Sequence, residues 1–215
     1  MYNPPHFAET RPEVLWPLVE ERGFGLLVAG GAAGPDALLA PFEVDAVAGR
    51  LRCHVARPNP IWRAVREQPE VLVLILGRDH YISPRWYPSK AEHGSVVPTW
   101  NYEAITLRGH AMVFEDTESL RAHLEALTRA HEEKLPEAAG ARWEVADAPT
   151  EYIDRQMRGI VGIEIAVRQM EGKFKLSQNR TKADREGAVE GLRALGTASS
   201  AAMVEAMRQR MDAGE

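Results

Sequence analysis

Residues 100–116 read WNYEAITLRGHAMVFED, a long strand region with apolar positions at Ile105 and Leu107 and, beyond Gly109, at Met112 and Phe114. A period of two over this length marks a strand. Upstream, GFGLLVAGG (23–31) and DALLAPFEVD (36–45) read as two strands joined by the Gly-rich turn GGAAGP. In RLRCHVAR (50–57), Leu51, Cys53 and Val55 alternate with Arg52, His54 and Ala56, giving a third strand. VLVLILG (71–77) reads as a buried strand and HYIS (80–83) as a brief further one. Downstream, IVGIEIAVRQMEGKFKL (160–176) reads as two strands hinging near Glu171–Gly172.

Helices are inserted between or appended to these strands. Thr10 and Glu13 have capping-box spacing, with Pro12 suited to a first turn, so a helix is expected over about 11–22, kinked or shortened by Pro17. NPIWRAVREQP (59–69) reads as a short helix ended by Pro69, and PRWYPSKAEHGSVVP (84–98) as a loop. TESLRAHLEALTRAHEE (117–133) carries Leu120, Leu124 and Leu127 at helical spacing. Another helix is expected near 149–158, and two more close the chain. Strands clustered in the middle, with helices at the periphery, favour an α+β antiparallel barrel over a doubly wound parallel sheet. No repeat or linker divides the chain, so a single domain over 1–215 is expected, with a helical segment at about 181–212.

The chain has 215 residues, 45% of them apolar, and a net charge of −5, which suits an ordinary globular protein and gives no support to a general nucleic-acid binder. One cysteine, Cys53, excludes an intramolecular disulfide and a cysteine-rich metal site. No secretory signal is visible and the apolar runs are strand-sized, so the expected location is cytoplasmic, with no membrane partner. There is no GxGxxG after a strand, no GxxxxGK[ST] and no GxSxG. His123 and His131 share a helix at a spacing too wide for a common metal.

Three stretches are dense in chemistry. In HVARPNPIW (54–62) a His and an Arg end a strand, and Arg57 at a helix start can meet a phosphate. The competing reading makes Asn59 a cap, Pro60 a first helical position and Trp62 a packing residue, and capping alone explains the Asn-Pro pair. In YISPRWYPSK and VPTWNY, Trp86, Tyr87, Trp100 and Tyr102 are interleaved with Ser83, Lys90, Thr99 and Asn101. Flat apolar faces beside hydroxyl and amide groups suit a flavin or another heterocycle; an aromatic cluster sealing a barrel end or subunit contact explains them equally well. In GKFKLSQNR (172–180), Lys173 and Lys175 share one strand face and Phe174 and Leu176 the other. Gln178 and Arg180 follow in a polar run, where Asn179 or Thr181 can cap the next helix.

These stretches, with MYNPPHF (1–7), IVGIEI (160–165) and DREG (184–187), keep their order along nearly the whole chain. Together they strongly resemble the PaiB family of FMN-binding negative transcriptional regulators. Members of that family often carry a His before the Pro of the second strand, where this chain has Ala40-Pro41-Phe42. The resemblance implies a split β-barrel of the pyridoxine-phosphate-oxidase-like FMN-binding kind, with FMN as cofactor, homodimers with the flavin site at the subunit interface, and repression of transcription. It places His54, Arg57 and Asn59 and the Thr99–Trp100–Asn101 strand start along one side of FMN. Ser83, Lys90, Lys173, Lys175, Gln178 and Arg180 complete the expected cofactor-binding set, the last four at the phosphate or ring edge.

A repressor needs a DNA-reading element. The C-terminal segment has a helix–turn–helix outline with Gly196 in its turn, but from Thr181 to Glu215 five cations face six anions. Direct DNA contact is therefore weakly supported by charge, and a helical hairpin packed through Met203, Val204 and Met207 fits better. The alternatives are an FMN-dependent oxidoreductase and a flavin-sensing protein acting through a partner. No acid or base declares itself; His54 is the best candidate because an ordinary His titrates near neutrality.

Overall fold

The computed structural model describes residues 1–31 and 34–212. Among these residues the chain forms an eight-stranded antiparallel sheet and seven α-helices, an α+β fold of the split-barrel class. The strands in chain order are β1 (Ala8–Glu9), β2 (Phe24–Ala29), β3 (Asp36–Pro41), β4 (Glu43–Asp45), β5 (Arg50–Ala56), β6 (Glu70–Ile82), β7 (Thr99–Phe114) and β8 (Ile160–Lys175). The helices are α1 (Pro12–Arg22), α2 (Ile61–Glu67), α3 (Ser89–His93), α4 (Thr117–Glu132), α5 (Thr150–Arg158), α6 (Lys182–Leu195) and α7 (Ala198–Asp212). The sheet order is β3-β2-β6-β7-β8-β5-β4, with β1 beside β8. Two compact units result, one from residues 16–75 and 106–170, the other from 1–15, 76–105 and the described part of 171–215.

The first of these units holds the barrel. Register is set by apolar rows: Leu26 lies opposite both Leu39 and Leu74, Val44 opposite Leu51, and Cys53 opposite Ile163. Alternate positions Leu27, Leu51, Cys53, Val73, Ile75, Ile163 and Ile165 are fully buried. A one-residue slip would expose that whole set, which is why the pairing is unique. Contacts between β3 and β5 curl the sheet back on itself. A second apolar cluster of Leu120, Val145, Ile153 and Met157 joins α4 to α5, with Phe114 and Ile160 against it. The Asp116 side chain accepts from Ser119 N at 2.8 Å and starts α4.

The other unit packs α6 and α7 as a hairpin turned by Gly196, whose φ of 65° is the left-handed conformation that a glycine adopts freely. Met203 and Met207 are fully buried and Val204 nearly so, as expected of packing residues. Here β1 pairs with β8, Glu9 opposite Gly172.

Several expected boundaries shift, each for a visible reason. β8 is one strand with no hinge at Gly172; the glycine admits Leu15, whose Cδ2 would lie 2.5 Å from a Cβ there. Likewise 71–77 and 80–82 are parts of one strand, β6, and at the position between them Arg78 pairs with Glu103. The 36–45 stretch divides instead, because Pro41 has no N–H for the ladder and Phe42 turns its own N–H to Gly23 O at 2.8 Å and buries its ring. The GGAAGP turn expected there includes residues 32 and 33, which lie outside the described residues. The loop 84–98 contains α3 and a 3-10 turn at Pro84–Trp86. Pro17 sits inside α1 without ending it. Among the described residues the Thr10 side chain makes no bond to α1; ahead of the helix, Glu9 Oε1 accepts from Thr10 N and Arg11 N, each at 3.0 Å, and fixes the chain as it enters α1.

Candidate functional site

Lys173 and Lys175 stand on one face of β8 and the buried Phe174 and Leu176 on the other, the alternation expected of a strand. Lys173 Nζ donates to Tyr2 O at 3.0 Å and lies 5.6 Å from the Tyr2 ring and 5.8 Å from the Tyr102 ring. Lys175 Nζ donates to Trp100 O at 2.6 Å and to Thr99 Oγ1. Burial, followed by the charges of Lys173 and Arg180, lowers the Lys175 pKa from its ordinary value. Lys173 and Arg180 therefore each repel Lys175, and among the described residues none of the three pairs with a carboxylate. Arg180 lies over the Tyr87 ring at 5.2 Å.

The strand end is locked by its own polar side chains. Gln178 donates to Phe174 O at 2.6 Å and accepts from Leu176 N at 2.7 Å, so its amide closes the turn rather than facing a ligand. Ser177 has φ of 69°, the only positive φ outside glycine among the described residues, and its Oγ donates to Asn101 Oδ1 at 3.0 Å. Asn101 is fully buried, and its Nδ2 has no partner. The Tyr87 hydroxyl is also buried without a hydrogen bond of normal geometry. The structure thus brings Thr99, Trp100, Asn101, Lys173, Lys175 and Arg180 into one neighbourhood and adds Ser177, Tyr87 and Tyr102. Sequence reading placed the two tyrosines among the loop aromatics and Ser177 in the polar run, but no local pattern shows the positive φ or the burial that commits them. Ser83 accepts from Arg85 N at 3.3 Å and caps the 3-10 turn, while Lys90 stands exposed on α3.

In the barrel unit, Arg57 is held by protein groups. Its Nε donates to Arg158 O at 2.9 Å, its second guanidinium nitrogen to Ile160 O at 3.0 Å, and the third pairs with Glu115 at 2.5 Å. Arg57 and Arg66 together hold the Glu115 carboxyl below the usual carboxylate range. Asn59 Oδ1 accepts from Ile61 N at 3.0 Å, and Trp62 Nε1 donates to Arg57 O at 2.9 Å. The β5–α2 corner is thereby built from Arg57, Asn59 and Trp62. His54 departs from the sequence expectation. Burial first, then the neighbouring His123, pushes it down to about 4, so it does not titrate near neutrality. His123, set aside in the sequence for its distance from His131, lies with Nε2 3.1 Å from His54 Nδ1. No group of His, Cys, Asp or Glu suited to a metal occurs among the described residues.

An antiparallel split barrel with a cationic strand end bordered by exposed aromatics suits a planar ligand that carries a phosphate. The chain belongs to the family described as "Putative FMN-binding domain", whose model matches residues 1–169. It is 30% identical over 213 residues to the protease synthase and sporulation protein PAI 2 of Bacillus subtilis, covering 98% of each chain. It is 32% identical to an uncharacterised protein of Aspergillus fumigatus, over 83% of this chain and 79% of that one. Its fold is similar to that of the FAD and heme binding protein from Mycobacterium smegmatis (TM-score 0.59, 19% identity, 79% of this chain and 73% of that one). It is also similar to the flavocytochrome Anf3 from Azotobacter vinelandii (TM-score 0.53, 13% identity, 81% and 70%).

The cofactor this membership assigns is FMN. The residues present fit it: Lys173, Lys175 and Arg180, which pair with no carboxylate among the described residues, would suit a phosphate dianion, and Trp100, 54% exposed, would offer a flat face to a ring. The family match ends before this strand end, whereas the B. subtilis relative extends through it.

Proposed function

We propose that this chain is an FMN-binding transcriptional regulator of the PaiB type, working as a single domain over residues 1–215. The observation that carries the cofactor site is the cluster of three cations at the end of β8 that pair with no carboxylate among the described residues. Leaving like charges together costs free energy, and a phosphate that neutralises them recovers it. In this reading Lys175 and Arg180 hold the phosphate, and Lys173 is steered toward it by the Tyr2 and Tyr102 rings. Trp100, with Tyr81 packed edge-on at 6.2 Å, shields a face of the ring system. Bound FMN would supply a redox-active ring whose occupancy or oxidation state the protein can report.

The regulatory role is supported by the resemblance and by the relationship to PAI 2. Direct DNA reading by α6 and α7 has little in its favour, since Lys182 pairs with Glu186, Arg193 with Glu190 and Arg210 with Glu9. Cations already matched to carboxylates release few counterions from a duplex. Regulation through a flavin-dependent partner contact suits this surface better. A second copy of the chain is the expected structural partner. The outer rows of β3, β2 and β6 (Leu39–Leu26–Leu74 and Ala37–Val28–Leu72) are apolar, and Phe24 and Leu39 are 51% and 62% exposed. An apolar sheet face of this kind is an association surface.

Titrating the purified chain with FMN tests the reading: flavin fluorescence should be quenched at micromolar concentrations. Absence of quenching would sink the proposal. If FMN binds, anaerobic addition of NADH or NADPH separates regulator from oxidoreductase, because flavin bleaching within seconds would favour the enzyme.

A further inference from the structure

Outside the cationic strand end, one group of ionisable side chains has no role in the fold's apolar packing. Arg52 and His54 point to the face of β5 opposite the buried Leu51, Cys53 and Val55. α4 lays its fully buried His123 against that face. His123 Nδ1 lies 2.7 Å from Glu43 Oε2 on β4, and His123 Nε2 lies 3.1 Å from His54 Nδ1. Phe114 closes the side of the His123 ring edge-on, centroids 6.1 Å apart. Arg52 stands 3.8 Å from Glu43 and is bonded to Glu164 at 2.6 Å, so the carboxylate end of the chain is electrostatically supported.

The geometry fixes one hydrogen-bond role and narrows the other to two. A carboxylate only accepts, so His123 Nδ1 carries a proton toward Glu43. Between His123 Nε2 and His54 Nδ1 one proton is shared: on His54 Nδ1 it leaves His54 Nε2 as a lone pair, and on His123 Nε2 it leaves His54 Nε2 as an N–H. No protein hydrogen bond reaches His54 Nε2 among the described residues, and the His54 ring is part-exposed whereas His123 is sealed.

We propose that Glu43, His123 and His54 form a one-ended hydrogen-bond relay that presents His54 Nε2 as an acceptor for a small molecule bearing an O–H or imide N–H donor. The relay is directional because its far end is fixed by a carboxylate. If the ligand donor gives up its proton, the proton forms a bond to His54 Nε2 and the ligand remains as its conjugate base. The His54 Nδ1 proton then passes to His123 Nε2, and the positive charge rests on His123 against Glu43. His54 contacts the ligand, and His123 and Glu43 are positioning residues. The relay lies entirely within the barrel unit and does not depend on where FMN sits.

Side-chain nitrogen NMR of the full-length, 15N-histidine-labelled chain at pH 7 decides it. In the wild type, His54 and His123 should each show a protonated, pyrrole-type Nδ1 and an unprotonated, pyridine-type Nε2. A pyrrole-type Nε2 on His54 overturns the proposal outright, and this measurement needs no variant. In Glu43→Leu, with folding verified by circular dichroism, the proton positions lose their anchor and both tautomers should appear at His54. Unchanged tautomers in that folded variant would also overturn it, because a merely structural packing role leaves them unaffected.

Discussion

At the scale of single residues, the chemistry is concentrated where charge is left unmatched or is matched unusually well. Lys175 and Arg180 belong to the first kind. Each charge-assisted contact to a phosphate contributes about 1.5 to 3 kcal/mol, so Lys175→Ala and Arg180→Ala should each weaken FMN binding roughly tenfold to a hundredfold in a fluorescence titration. Lys90→Ala, on the exposed side of α3, should change affinity by less than about twofold, within the usual effect of a lost surface charge. Glu9 belongs to the second kind. Its carboxyl is 3% exposed, and the hydrogen bonds from Arg11, with the nearby charge of Arg210, hold its pKa at about 2 against an ordinary 4.5. A depressed pKa means the stabilisation is complete above about pH 4.5 and is lost as pH falls toward about 2. The shift corresponds to stabilisation on the order of 3 kcal/mol. Glu9→Gln should therefore lower stability at pH 7 by up to that amount and flatten the acid limb of a stability–pH curve. An acid limb as steep as wild type would contradict this assignment.

At the scale of elements, identity was legible and limits were not. The alternation in 100–116 and the leucine spacing in 117–133 correctly announced β7 and α4, because periodicity is a local property of the chain. Breaks depend on partners. Gly172 read as a hinge because nothing local shows that Leu15 occupies the space its missing side chain leaves. Gly187 in α6 makes the same point with a sign attached. A Cβ there would lie 2.1 Å from Trp86 O and 3.0 Å from Pro88 Cδ, since α6 packs onto the 3-10 turn at Pro84–Trp86. Replacing an exposed helical glycine by alanine ordinarily stabilises by about 1 kcal/mol. Here the clash with backbone should reverse the sign, and Gly187→Ala should destabilise by roughly 1 to 3 kcal/mol. Urea denaturation followed by tryptophan fluorescence checks it; an unchanged or raised midpoint would show that the helix can move off the turn without cost.

For the whole molecule, the apolar outer rows of β3, β2 and β6 predict association. Leu39→Glu places a charge in the middle of that face and should convert a dimer to a monomer in sedimentation equilibrium, with little loss of fold because Leu39 is exposed in the single chain. A wild-type monomer at micromolar concentration would remove this surface from consideration. No helix among the described residues is long and apolar enough to cross a membrane. Read without partners, the chain of 215 residues was sufficient to determine its longer helices and most of its strand regions, the apolar face of several of them, and, through motifs kept in order, the family. It could not determine which side chains meet. Asn101 and Ser177 are 76 positions apart, His54 and His123 are 69 apart, and Glu9 reaches Arg210 across 201. Those encounters depend on strand register and helix docking, which are fixed by the cooperative burial of distant apolar rows. Local propensity carries no record of them, so only the tertiary structure could decide that Arg57 builds a corner, that His54 meets His123, and that Lys173, Lys175 and Arg180 stand together with no carboxylate partner among the described residues.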